Sequence, residues 1–138
     1  MPSSLYLVIL GTEGCPHCRA MKEYLPEIVN DTYFCEIMRQ DSACAKAFME
    51  LVTAGITKGV PTIVACNKLT GQVVFVVVGE YRDTAWWRKV LANPPSEPTV
   101  YVEGKPVTTL DPVTAQKVSR LVCAEAVEKG DASKLDKG

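Results

Sequence analysis

The sequence predicts an α/β fold built on a mixed sheet, because strand and helix patterns alternate over about the first two thirds of the chain. A continuous apolar run, Leu5–Leu10, has the composition of a central strand covered on both faces. Met21, Leu25 and Ile28 then recur at the spacing of an amphipathic helix. The full expected order up to residue 92 is strand, helix, strand, helix, strand, strand, helix.

Prolines, helix-capping residues and turn residues predict where these elements begin and end. Pro26 removes a backbone donor and predicts a kink or an early end of the first helix. Asp41-Ser42 and Asp83 are capping residues for two further helices. The loop 67–71 has turn chemistry and joins two β-rich runs into an antiparallel hairpin. The expected bounds are about 5–10, 33–38, 61–66 and 72–78 for the strands, and about 15–29, 43–54 and 84–92 for the helices.

The proline-rich composition of Asn93–Pro98 predicts a linker. Beyond it, two short β-rich runs within 99–109 predict a second hairpin, and Asp111-Pro112 opens a helix that is expected to reach about residue 128. We expect this hairpin and helix to pack on the first domain, with no purpose evident from the sequence. The expected divisions are a domain at 1–92, a linker at 93–98, an extension at 99–129 and a polar tail at 130–138.

The composition restricts the classes of partner. Hydrophobic residues make up 47% and charged residues 22% of the chain, which is ordinary for a globular protein. Fifteen basic residues balance sixteen acidic ones, so nucleic acid and anionic membranes are not expected partners. The apolar run Val73–Val78 is far shorter than the roughly 18 residues of a membrane-spanning helix. No basic residue precedes Leu5–Leu10 as in an export signal, so we expect a cytoplasmic protein.

The chemistry is concentrated in Cys15-Pro16-His17-Cys18, which falls between the first strand and the first helix. Disulfide exchange needs an attacking thiolate and a second thiol close enough to resolve the mixed disulfide. Cys15 at the helix start is predicted to be the attacking thiolate, since backbone N–H groups and the helix dipole favour an anion there. Cys18, one turn later, is predicted to be the more sheltered resolving thiol. His17 is expected to supply positive charge or a hydrogen-bond donor towards Cys15.

A strand, a C-x-x-C motif at a helix start and Val60-Pro61-Thr62 at a later strand entry together resemble the thioredoxin and glutaredoxin superfamily, over roughly residues 5–92. The resemblance implies a thioredoxin-like fold with a central four-stranded mixed sheet and flanking helices, here followed by the hairpin and helix extension. It also implies that the 60–61 peptide bond is cis. Val60, Pro61 and Thr62 would then bind extended substrate backbone beside the reactive sulfur.

The residues in and around the motif indicate which members of the superfamily the chain resembles. Pro16-His17 is similar to the dipeptide of the DsbA-like enzymes, which are strong oxidants. Gly14 stands where thioredoxins have Trp, and Ile9 stands where they bury an acid. The chain therefore resembles the superfamily more than it resembles thioredoxin itself.

These observations predict a thiol–disulfide oxidoreductase that exchanges the Cys15–Cys18 dithiol with protein or small-molecule disulfides. It would use no metal or organic cofactor beyond its own sulfurs, and its partners would be protein or peptide thiols and a reductase or small-thiol electron donor. The alternative is a thioredoxin-like binding module, or a domain in which Cys15, Cys18 and two other cysteines hold structural zinc.

The other four cysteines leave several alternatives open. Cys35 and Cys44 form either a structural disulfide or two unpaired thiols. Cys66 and Cys123 lie on apolar faces of their predicted elements, where we expect them to be inert, and the sequence does not decide whether they form disulfides. Pro61 has an alternative of its own, since a proline also commonly begins an edge strand.

Overall fold

A computed structural model describes residues 4–124, and that part of the chain contains six strands and four α-helices. The α/β class predicted from the sequence is confirmed. None of the described helices has the length and apolar character needed to cross a membrane. The strands are Leu5–Gly11 (β1), Thr32–Glu36 (β2), Thr62–Asn67 (β3), Val73–Val78 (β4), Thr99–Val102 (β5) and Lys105–Thr109 (β6). The helices are Pro16–Tyr24 (α1), Ala43–Thr53 (α2), Thr84–Ala92 (α3) and Pro112–Val118 (α4).

The helix ends follow the local signals. After α1 the backbone tightens into a 3₁₀ turn that contains Pro26, which confirms the early end predicted there. The side chains of Ser42 and Asp83 cap α2 and α3 by accepting hydrogen bonds from backbone N–H groups, each at 3.0 Å. Beyond α4 the chain continues as a π-helical segment, Ser119–Ala124. The rest of the helix predicted to residue 128, and the polar tail, lie outside the described residues.

The strands form one sheet in the order β2-β1-β3-β4-β5-β6. The sequence predicted a central sheet of four strands with a separate hairpin, and this is wrong in one respect: the sheet has six strands. The hairpin continues the sheet because β5 pairs in parallel with β4, with Phe75 opposite Thr99 and Val78 opposite Val102. This pairing satisfies the backbone groups along an edge of β4 that would otherwise need other partners.

Helices cover the sheet on both faces, as the continuous apolar run of β1 predicts. Alternate β1 side chains enter separate cores. Val8 and Leu10 pack on the face of α2 and α4, whereas Leu7 and Ile9 pack on the face of α1 and α3. All seven residues of β1 are buried, so the strand is the centre of the molecule.

Strand direction brings the chemically interesting loops together. β1, β2, β4 and β5 run the same way, whereas β3 and β6 run against them. The loops that follow β1, β2, β4 and β5 therefore meet at one end of the sheet, where the segment entering β3 also lies. This end holds the cysteine motif.

Four cysteines are paired in disulfides, Cys35 with Cys44 and Cys66 with Cys123, with Cα separations of 5.8 and 5.4 Å. The first pairing is one of the two alternatives that the sequence left open. Whether Cys66 and Cys123 form a disulfide was also open from the sequence, and the structure pairs them with each other. The alternation of β3 points Cys66 into the core where the π-helical segment packs, which brings Cys123 to it. Both disulfides lie on the face of the sheet that α2 and α4 cover.

Candidate active site

Cys15 is the N-cap residue of α1, with the extended backbone that this position requires (φ −94°, ψ 115°). Its Sγ accepts a hydrogen bond of 3.1 Å from the backbone N–H of Cys18. Pro16 occupies the first turn, where its missing N–H removes no helical hydrogen bond. A backbone donor and the positive end of the helix dipole are therefore both directed at the Cys15 sulfur.

Cys18 has a very different environment. Its side chain is fully buried in the apolar core beneath α1, whereas Cys15 is partly exposed. Burial raises the pKa of the Cys18 thiol to about 12, and the adjacent Cys15 sulfur and the Glu36 carboxylate act in the same direction. The predicted difference in exposure between the two cysteines is confirmed, and Cys18 is a neutral thiol at neutral pH.

The space for the Cys18 thiol is provided by Gly11 at the end of β1. A Cβ atom at Gly11 would lie 2.8 Å from Cys18 Sγ and 3.3 Å from the ring of Phe34. Both distances are shorter than ordinary van der Waals contact. Glycine at this position therefore allows α1 to pack close enough to β1 to bury Cys18.

Replacing Gly11 with Ala is expected to destabilise the folded protein by about 1–3 kcal/mol, because the added methyl group overpacks the Cys18 pocket. Denaturant unfolding measures the change. Gly14→Ala is the matched control, since no atom lies within 4 Å of a Cβ placed there. That control is expected to change stability by less than about 0.5 kcal/mol. Equal losses in the two variants would show that the close approach to Cys18 is not what requires Gly11.

A carboxylate that the sequence did not single out fastens the loop before the motif. Glu36 ends β2 and pairs in register with Gly11, the last residue of β1. Its Oε1 accepts a hydrogen bond from the backbone N–H of Glu13, and its Oε2 accepts one from Met38, both at 2.9 Å. The signal for this role was the position of Glu36 at the carboxyl end of a strand parallel to β1.

An open cleft of about 860 Å³ lies beside the motif. His17, Val60 and Pro61 line one part of it, and the loop 79–83 and the end of β5 line the rest. The 60–61 peptide bond is cis, as the resemblance implied. Thr62 is placed differently from the other two residues of its tripeptide. It is fully buried, and its hydroxyl donates to the carbonyl of Gly59 at 2.9 Å, so it shapes the turn into β3 and does not line the cleft.

His17 does not take the position expected of it. Its side chain is 70% exposed, and its Nδ1 contacts Oε1 of Glu80 at 2.5 Å. Glu80 also accepts from Nε of Arg82 at 2.8 Å. The hydrogen bond on Cys15 Sγ comes from the Cys18 backbone and not from His17, so of the two expected roles of His17 only the contribution of positive charge stays a prediction. The physical reason is topological, because the loop after β4 returns to the motif and places a carboxylate against the imidazole.

In comparisons with protein-family models, curated proteins and solved structures, nothing matches this chain. The candidate site therefore rests on its geometry. Within residues 4–124, no three side chains of His, Cys, Asp or Glu are grouped so that they could hold a metal ion. The four disulfide cysteines pack on the opposite face of the sheet from Cys15 and Cys18. The ligand set that the zinc alternative needs is thus not assembled in the described part of the chain.

Proposed function

We propose that this protein is a thiol–disulfide oxidoreductase of the thioredoxin-like fold, in which Cys15 attacks and Cys18 resolves. One observation carries the proposal: Cys15 is a partly exposed N-cap whose sulfur accepts the N–H of Cys18, while the Cys18 thiol is buried directly behind it. Such an arrangement separates an accessible nucleophile from a protected second thiol. The mixed sheet, with helices on both faces and the motif at the end of its central strand, supports the fold assignment.

The reaction is a two-electron exchange between sulfurs. The Cys15 thiolate attacks one sulfur of a substrate disulfide, forms a mixed disulfide and releases the other substrate sulfur as a thiolate, which takes up a proton. The Cys18 thiol then loses its proton, attacks Cys15 Sγ and releases the second substrate thiol. The substrate disulfide is reduced to two thiols, and the Cys15–Cys18 dithiol is oxidised to a disulfide. A reductase or a small thiol would return the pair to the dithiol.

The raised pKa of Cys18 fits the resolving role. A buried neutral thiol does not compete with Cys15 for the incoming disulfide, and it is activated only when its proton is removed next to the mixed disulfide. Val60 and Pro61 lie in the cleft beside the motif, where they would contact the substrate backbone. We propose protein or peptide disulfides as substrates because the open cleft accommodates an extended chain.

A cytoplasmic location is also a proposal. The two disulfides away from the motif fit a cytoplasm that preserves disulfides, as in hyperthermophiles, and equally fit an oxidising compartment. The test is to trap the protein with acid from its native source and to determine the oxidation state of the four cysteines. Oxidised cysteines would fit either of these two locations, whereas reduced cysteines would indicate a reducing cytoplasm.

A direct assay of catalysis tests the proposed function. Reduction of a fluorogenic peptide disulfide by dithiothreitol is followed with and without catalytic amounts of the protein. Acceleration with multiple turnovers is the expected result, whereas a rate equal to that of dithiothreitol alone contradicts enzymatic exchange. The binding-module alternative predicts association with the peptide and no acceleration.

Replacing Glu80 with Gln is expected to raise the reduction potential of the Cys15–Cys18 couple by about 10–30 mV. The carboxylate lies against His17, so its negative charge offsets any positive charge on the imidazole. Removing it takes away a negative charge beside the motif that opposes the Cys15 thiolate of the reduced form. Replacing His17 with Asn is expected to lower the potential for the converse reason.

The double variant tests whether Glu80 acts through His17. In the His17→Asn background, the effect of Glu80→Gln should grow, because the carboxylate is then no longer offset by the imidazole. Glu23→Gln, an exposed charge removal towards the end of α1, is the matched control and should leave the potential unchanged. Unchanged potentials in both the Glu80 and His17 single variants would refute an electrostatic role for this pair.

A further inference from the structure

The β5–β6 hairpin, for which the sequence suggested no purpose, forms one wall of the cleft beside the cysteine motif. Val102 and Glu103, at the end of β5, line the cleft together with His17 and Pro61. This follows from the parallel pairing of β5 with β4, which directs the end of β5 to the same end of the sheet as the loop after β1. His17 is the residue of the cysteine motif that lines the cleft, so a substrate chain that binds beside His17 and Pro61 would also contact the hairpin turn.

Aromatic side chains hold this wall in place. Trp86 Nε1 donates a 3.0 Å hydrogen bond to the carbonyl of Gly104, and its ring packs edge-to-face on Tyr81 and Tyr101, each at 5.2 Å between centroids. Tyr81 lies so close to the turn that a Cβ at Gly104 would be 2.5 Å from its hydroxyl oxygen. Packing thus requires glycine at 104 and makes the wall a fixed surface.

Neither the packing nor the backbone conformation explains why residue 103 is a glutamate. Its φ is +52°, in the left-handed region that glycine and asparagine adopt more readily than glutamate. Its side chain is exposed, and it forms no ion pair or side-chain hydrogen bond with residues 4–124. Desolvation raises the pKa of Tyr81 and the Glu103 charge contributes to that rise, but no cation pairs with this carboxylate among the described residues. A residue of unfavourable backbone conformation with an unpaired carboxylate at the cleft rim points to a role towards a molecule outside the chain.

The other charges of the cleft are already engaged. Glu80 is compensated by His17 and Arg82. Asp83 caps α3 by accepting the backbone N–H of Trp86 at 3.0 Å, so its charge acts on the helix dipole. Glu103 is then the carboxylate that remains to contact a substrate. The two cleft-lining side chains that can carry positive charge, His17 and Arg82, both contact Glu80.

We propose that Glu103 is a specificity-determining residue that selects peptide or protein disulfides carrying Lys or Arg next to the reacting cysteine, and disfavours anionic disulfides such as oxidised glutathione. This inference rests on the proposed disulfide exchange. A rim carboxylate attracts a cationic substrate and repels an anionic one mainly by changing the association rate, and salt screens the effect.

The test compares two peptide homodisulfides that differ only in having Lys or Glu beside the cysteine, with oxidised glutathione as a third probe. Pre-reduced protein is mixed with each in excess, the reaction is stopped by acid and alkylation, and the Cys15–Cys18 disulfide is measured by mass spectrometry. The wild type is expected to react about fivefold faster with the Lys peptide than with the Glu peptide at about 20 mM salt. The ratio should approach one at about 1 M salt.

Glu103→Gln is expected to reduce the Lys-to-Glu ratio at low salt to about twofold or less. Glu103→Gly is the second variant, since glycine suits the positive φ and keeps the turn, and it should lose the preference without losing stability. Glu97→Gln removes an exposed charge far from the cleft and should keep the wild-type ratio. A wild-type ratio retained in both Glu103 variants, or no preference in the wild type, overturns the inference. If none of the three disulfides oxidises the wild type, the proposed function itself fails.

Discussion

Replacing Cys15 with Ser is expected to lower the rate of disulfide exchange by at least about a thousandfold, because a hydroxyl does not form the sulfur–sulfur bond on which the reaction depends. Serine is among the preferred N-cap residues, so the start of α1 should be retained. The variant therefore isolates chemistry from folding. The dithiothreitol-coupled peptide assay measures the rate, and thermal unfolding verifies the fold.

Cys18 variants give the complementary result. Without a resolving thiol, the mixed disulfide between Cys15 and the peptide should accumulate and be visible by mass spectrometry. Cys18→Ala is preferable to Cys18→Ser, because a hydroxyl buried without a partner destabilises the core independently of chemistry. A trapped adduct on Cys18 in the Cys15→Ser variant, with none on Cys15 in the Cys18→Ala variant, would reverse the assigned roles.

The second large effect concerns alkylation of Cys18. In the folded protein, Cys18 is expected to react with iodoacetamide at pH 8 about a thousandfold more slowly than in the unfolded chain. Burial raises its pKa from 9.0 to about 12, so the reactive thiolate fraction falls by about that factor. The rate should rise about tenfold per pH unit as the pH increases towards 12, since each unit increases the thiolate fraction tenfold.

The measurement is best made in a Cys15→Ala variant, which prevents disulfide formation. Burial, the largest cause of the raised pKa, stays in place, but the contributions of the Cys15 sulfur are lost, so the slowing should be smaller than a thousandfold in this variant. Modification of Cys18 is followed by mass spectrometry of quenched samples, with the denatured protein as control. Folded-state labelling of Cys18 at the denatured rate would mean that the thiol is accessible and ionisable, and would remove the sheltered-resolver argument. In wild-type protein, Cys15 should be the first of the two to be labelled, because it is the exposed one.

Local patterns were sufficient for much of the fold. The apolar run of β1 indicated a strand buried on both faces, and Pro26 and Asp83 marked a helix end and a helix start. These features depend on the period of side-chain burial and on backbone donors, both of which short stretches of sequence determine. The motif was found for the same reason, because Cys15 and Cys18 are adjacent on one turn.

Contacts between distant segments were not predictable in this way. The pairing of β5 with β4 and the disulfide between Cys66 and Cys123 join segments whose sequences carry no mark of their partners. Glu80 and Glu103 reach the cleft only because four strands end at the same side of the sheet. A turn glutamate and a post-strand glutamate look like solvated charges until the strand order is known.

A redox titration tests most directly whether Cys15 and Cys18 form a redox-active pair. The protein is equilibrated in thiol–disulfide buffers of graded potential, trapped with acid, and labelled so that the two oxidation states differ in mass. We expect a single reversible two-electron transition between these two cysteines, with a midpoint some tens of millivolts above the roughly −270 mV of thioredoxin. If Cys15 and Cys18 form no disulfide with each other at any potential, and are instead modified independently by the buffer thiol, the central claim is contradicted.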